Sequence, residues 1–392
     1  MNEAIQFQLV EIADEIRLFF HINPINEKEQ REKFLSRRAT GALPKEREPT
    51  FVYPEPAFSA HGLLDRLQAL DLESTSDQRI ALLLTDKQEE LANLIRLVRA
   101  RGTPDFKHLS LRLFGKPPPE TVAIAGTLLA TSCAPEKREQ DSKILRDLLN
   151  SHLDWYRSKY SDFECEVVLE PNMSSNMYVN KNRIHVKLGA RVSEAAAQCD
   201  KHHEIDAHIL TYLNGLRQPL CIFRIGLAGS AAFQESLGIF TELACGVFYP
   251  GRQTTLAARI VAVADMLDGM SFSDVFERLA EQYRLDADDA YTVCQRVFRG
   301  GGFSKDWIYV ADLWDIFVHW ATGKDMSLLL LGKVNLRNLD LVAELLDEQL
   351  IEPAYYKPAY LERIEQKRTS QPVQNLLNAD KPDLTGLLSL TL

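Results

Sequence analysis

The chain has no apolar run of the roughly 18 residues that a bilayer crossing requires. Its opening stretch, MNEAIQFQLVEIADEIRLFF, carries acidic side chains where a secretion leader would carry basic ones. A cytoplasmic protein is expected. Cysteine is sparse and scattered: Cys133, Cys165, Cys199, Cys221, Cys245 and Cys294 form no CxxC pair, which argues against a disulfide framework and suits reduced thiols. Positive charge is in deficit, with a formal net charge of −10. That opposes general attraction to nucleic acid or anionic lipid, so neither is expected as a partner. No repeat of fixed period is visible.

What is present is an ordinary globular composition over 392 residues, 45% apolar and 26% charged. This length suits two domains or one large one and leaves the oligomeric state open.

Residues 1–158 read as a helical N-terminal domain. EAIQFQLVEIADEIRLFF, HGLLDRLQALDL and TDKQEELANLIRLVRARG each repeat apolar residues at three and four, and the last ends in arginines and Gly102. RRATGALPKEREPTFVYPEPAF and LFGKPPPET, rich in proline and glycine, read as loops. Near residue 160 the pattern shortens and alternates, and ECEVVLE and NRIHVKL are the best strand candidates. Along KNRIHVKL, Lys181, Arg183, His185 and Lys187 point one way and Asn182, Ile184, Val186 and Leu188 the other. One face would be basic, either a solvated exterior or the lining of an anionic substrate's path.

Helical patterns follow in LAARIVAVADMLDGM, SFSDVFERLAEQYRL and DLWDIFVHWA, with glycine-rich RGGGFSKD before the last. Residues 366–392 read as a polar tail, partly loose. The expected fold class is α+β, predominantly helical, with a small sheet preceding the HExxxH metal helix.

The stretch HHEIDAH, 202–208, carries the chemistry. A catalytic zinc takes three protein ligands and leaves one position open for water. His203 and His208 supply two imidazoles, and Glu204 stands where a general base would. Spacing is the obstacle: at about 100° per residue, histidines five apart diverge by about 140° on a regular helix. Convergence demands a π-bulge or a helix that opens at Asp206-Ala207. For a third ligand, GSAAFQESLGIFTELA offers Glu235. Glu242, seven further on, shares its face, and a cation would relieve carboxylates buried there. Two alternatives stay open on spacing alone: ordinary core histidines, or a closed structural site using Cys199 with His203 and His208.

HHEIDAHILTYLNGLRQPL followed by GLAGSAAFQESLGIFTE resembles a family whose members read HEIGTH, then NG and QPL, then QEGLA. These are the flavohemoglobin expression-modulating QEGLA motif proteins and their relatives, the tubulin tyrosine carboxypeptidases. The likeness extends from GTPDFKHLSLRLFGKPPPET to MSFSDVFERLAEQYRL and RVFRGGGFSKDWIY, most of the chain.

The resemblance implies zinc on His203, His208 and Glu235 with Glu204 as general base. It also implies a zinc metallopeptidase that removes residues from peptide or protein C-termini. This chain departs from the pattern at Asp206-Ala207, where the family shows Gly-Thr, and at Ser236 and Gly238, where it shows Gly and Ala. Every metal-binding type is retained. A carboxypeptidase needs a cation for the terminal carboxylate, and Arg299 and Lys305 flank the glycines of RGGGFSK, with Arg296 nearby. Tyr309 is a candidate oxyanion donor. Other readings are cleavage of a non-peptide amide and a non-catalytic zinc-binding regulator; retained Glu204 speaks against the latter.

Overall fold

The computed structural model describes residues 3–41, 48–131, 136–171, 173, 175–390 and 392. By contacts the chain forms two compact units, each built from two segments: Met1–Cys133 with Thr254–Trp307, and Ala134–Gln253 with Ile308–Leu392. The expected boundary after residue 158 therefore does not coincide with theirs, because the helix Ser142–Lys159 belongs to the second unit. Its stripe Leu145, Leu149, Leu153 and Tyr156 buries into that unit's core with Ile184, Val186, Ile205 and Ile209.

The first unit is helical. Its longest element, Gln78–Arg99, starts where the Asp77 carboxylate accepts from the amides of Arg79 and Ile80. It buries Ile80, Leu83, Leu84, Leu91, Ile95 and Val98 along one side. The first expected helix is instead two, Glu3–Ile16 and Leu18–Ile22, because Arg17 between them adopts a left-handed conformation, φ 40° and ψ 53°.

In the second unit a three-stranded sheet places Arg183–Lys187 at its centre, parallel to Glu166–Glu170 and antiparallel to Met177–Asn180. The short strand Met177–Asn180 escaped the sequence reading. Lys181, expected on the basic face, lies in the turn at φ 58° rather than in the strand. The face is also not left basic: Arg183 pairs with Glu166, and His185 Nδ1 meets Glu170 Oε1 at 2.7 Å beneath a stacked Tyr178. The carboxylates arrive from the neighbouring strand, which alternation along one strand cannot reveal.

Residues 366–392 carry two short helices, Gln371–Leu377 and Leu384–Leu388, which bury Val373, Leu376, Leu387 and Leu388. No helix among the described residues is long and apolar enough to cross a membrane. Cys133 lies outside the described residues, and the other five cysteines are free thiols.

Candidate metal centre

Ser193 caps the helix Glu194–His202 by accepting from the Ala196 amide. The chain then widens into a π-helix, His203–Ile209, before returning to α-helix over Leu210–Arg217. A π-turn takes one more residue than an α-turn, so residues five apart stack on one side. His203 and His208 accordingly face each other with ring centroids 4.8 Å apart. The Thr211 hydroxyl lies 2.8 Å from both the Ala207 carbonyl and Gln234 Oε1, which ties the end of the π-turn to the helix Ser230–Ala244.

That second helix brings Glu235. One ligand atom each from His203, His208 and Glu235 lies within 4.8 Å of the others, and His203 Nε2 stands 3.6 Å from Glu235 Oε2. Close approach depends on Gly238: a Cβ there would meet the His203 ring at 2.2 Å. Behind the ring, fully buried Glu242 accepts from His203 Nδ1 at 2.7 Å and from Arg252 Nη2 at 2.7 Å. Nδ1 is thus committed, and Nε2 faces Glu235. Cys199 is buried and takes no part in this group.

The electrostatics favour positive charge at the centre. Burial opposes a protonated His203, yet Glu235 and Glu242 outweigh it and raise its pKa to about 10. Burial, then the positive His203, push His208 down to about 3, with Lys333 contributing further. Glu242 stays ionised at about 2, because Arg252 and then His203 overcome its burial. Burial lifts Glu204, beside this group in sequence, to about 7. With Glu235 and Glu242 both against the His203 ring, the place favours positive charge. Two imidazole nitrogens and a carboxylate oxygen are the donor set a zinc ion accepts.

A second cluster adjoins the first: His152, His202 and Asp206. Asp206 is held as the anion well below the usual carboxylate range. Burial works against this, and hydrogen bonds from His152 and His202 overcome it.

The expected substrate residues belong to different units. Tyr309 belongs to the second unit, half-buried, with its ring 6.3 Å from that of His203 and under the Arg252 guanidinium. Arg299 and Lys305 belong to the first unit and are buried there. Arg299 donates to Asn23 Oδ1 at 2.9 Å and lies over the rings of Phe19 and Phe303, and Lys305 lies over Phe19. Their neighbour Arg296 pairs with Asp306. Arg296 and Arg299 thus serve the interior around buried Asp306.

Sequence reasoning missed Arg252, Gln234, His152 and His202. His202 and Gln234 stand inside the HHEIDAH and QESLG stretches without a role assigned to them, while Arg252 and His152 carry no motif signal and are defined only by their spatial neighbours. Glu242 was visible through its seven-residue spacing from Glu235.

Fold and site together define an α+β, mainly helical protein in which two histidines of a π-helix meet a glutamate of a second helix. A family model for microtubule-associated tyrosine carboxypeptidases matches residues 37–377, and the chain belongs to that family. The match supports the tubulin tyrosine carboxypeptidase side of the resemblance and a carboxypeptidase class of activity. No curated protein matches the chain. Among solved structures, one described as a lipoprotein of unknown function from Shewanella oneidensis aligns at 12% identity and a TM-score of 0.36. It covers 73% of this chain and 72% of that one.

Proposed function

We propose that this protein is a zinc-dependent metallopeptidase, a carboxypeptidase acting on peptide or protein C-termini in the cytoplasm. The observation that carries the proposal is the convergence of His203 and His208 from a π-helix with Glu235 from a separate helix, backed by Glu242. A zinc ion held by these three would polarise the scissile carbonyl and acidify a water at its open position.

The chain's own residues do the rest. Glu204, its carboxyl near pKa 7, takes the proton of the attacking water and passes it to the departing amine, so that one amide and one water become a carboxylate and an amine. Glu242 holds His203 in the tautomer that presents Nε2. Tyr309, with its ring 6.3 Å from that of His203, would donate to the oxygen that gains charge. For the substrate's terminal carboxylate, Arg299 and Lys305 are engaged in the interior of the first unit. Lys333, half-buried with its Nζ 5.6 Å from the ring of Tyr212 just beyond the π-helix, is the better candidate.

The test is digestion of a peptide library by wild type and Glu204→Gln, with mass-spectrometric readout and bound zinc measured in both. Loss of C-terminal residues with wild type alone, zinc present in both, supports the proposal. Equal inertness with zinc bound favours a regulator, and internal or non-peptide cleavage favours another amidase.

A further inference from the structure

In the middle of the π-helix stands Asp206, where the resembling family has glycine. Neither Asp206 nor Ala207 lends the backbone the freedom glycine would, so a rare helical form persists here for another reason. Asp206 is 3% exposed. Its Oδ1 accepts from His152 Nε2 and from the Tyr156 hydroxyl, both at 2.7 Å, and its Oδ2 lies 2.6 Å from His202 Nδ1. His152 and Tyr156 sit one turn apart on the Ser142–Lys159 helix, and Tyr156 stacks on Phe163 within the core. His202 ends the helix that runs into the π-turn, and its ring packs against His152 at 4.9 Å. A buried carboxylate left without partners is costly, and one met by three side chains is rigid.

Distances decide between a hydrogen-bonded clamp and a second cation site. Ligand atoms around zinc, at bonds of about 2.0–2.1 Å in a tetrahedron, stand roughly 3.4 Å apart. His203 Nε2 and Glu235 Oε2, at 3.6 Å, are spaced for that. The contacts of Asp206 with His152 and His202, at 2.7 and 2.6 Å, have the length of hydrogen bonds.

We infer that Asp206 is a positioning residue: it clamps the π-helix to the Ser142–Lys159 helix and thereby sets the spacing of His203 and His208. The inference rests on reading the His203, His208 and Glu235 group as the metal centre. Asp206, His152, Tyr156 and His202 touch neither the metal nor substrate in this scheme. They act through the backbone that carries the ligands.

The experiment compares wild type with Asp206→Asn, Tyr156→Phe, His152→Ala and His152→Gln. Amide hydrogen exchange of residues 203–210 is followed in the metal-free proteins, with the Gln78–Arg99 helix as internal reference. Zinc equivalents per chain and zinc affinity by chelator competition are then measured. Tyr156→Phe removes a single hydroxyl and keeps the ring in the core, so it stays interpretable if Asp206→Asn fails to fold.

Expected are about tenfold faster exchange confined to 203–210 and zinc affinity lowered about tenfold or more, with one zinc per chain in wild type. His152→Gln, which keeps a donor, should recover part of the loss seen in His152→Ala. Unchanged exchange and affinity in both Tyr156→Phe and His152→Ala overturns the inference. So do two zinc ions in wild type with one lost in His152→Ala, since the cluster would then itself be a cation site. Faster exchange in a protein that binds no zinc leaves the clamp standing and removes the metal reading instead.

Discussion

His203 Nδ1 donates to Glu242 Oε1 at 2.7 Å, and Glu242 has no exposed surface. Arg252 grips both oxygens of the same carboxylate, Nη2 to Oε1 at 2.7 Å and Nε to Oε2 at 3.1 Å, so the His203 ring is oriented by an ion pair as well as by the helix that carries it. Glu242→Gln should keep the shape while removing the charge. Zinc affinity by chelator competition should fall about 10- to 100-fold. With Arg252 left half-buried and unbalanced, denaturant unfolding should show a loss on the order of 3 kcal/mol.

Gly238→Ala would bring this chain closer to the family's QEGLA reading, yet it should damage the site. The added methyl meets the His203 ring at 2.2 Å, so ring or helix must move. Zinc content after dialysis should drop. A melting temperature lowered in the metal-free protein as well would identify steric overlap as the cause. Ser236→Gly is the matching control: its hydroxyl donates to the Ile308 carbonyl and accepts from the Asp312 amide, both at 3.1 Å. Its loss should cost about 1–2 kcal/mol with zinc affinity kept.

Lys333→Ala tests the substrate's carboxylate anchor. Losing a charge-assisted contact worth about 1.5–3 kcal/mol should raise KM for free-acid peptides roughly 10- to 100-fold. Peptides amidated at the C-terminus should be poor substrates for wild type and variant alike. An unchanged KM would exclude Lys333.

Asp77 offers a test far from the centre. A hydrogen bond from the Arg79 side chain, with the amides of Arg79 and Ile80, outweighs burial and holds its pKa at about 2, below the ordinary aspartate value. A depressed folded pKa means the contribution is fully present above the unfolded value and is lost as pH falls through the folded one. The helix cap should therefore fade between about pH 4 and 2. Asp77→Ala should cost about 1 kcal/mol at pH 7 by chemical denaturation, and the difference from wild type should vanish towards pH 2.

Much of the centre is legible in the sequence. The HExxxH spacing demands a widened turn, and the chain forms one over His203–Ile209. The seven-residue step from Glu235 to Glu242 put both on one helix face, and both reach His203. Strand and helix periods likewise located Glu166–Glu170, Arg183–Lys187 and the helices on either side. Readings that depended on surroundings went differently. Arg299 and Lys305 were candidates for the terminal carboxylate because they flank glycines, and they are buried in the first unit.

The sequence alone determined which residue types stand at metal-ligating spacing and that their helix must depart from the α form. Those are properties of one element, set by rise and rotation per residue. Tertiary structure decided that Arg252 stands behind Glu242, that His152 and Tyr156 grip Asp206, and that the Ser142–Lys159 helix packs with the sheet. Each of these joins residues distant in the chain or on separate turns. Burial and hydrogen-bond satisfaction select such partners from many that the sequence permits equally.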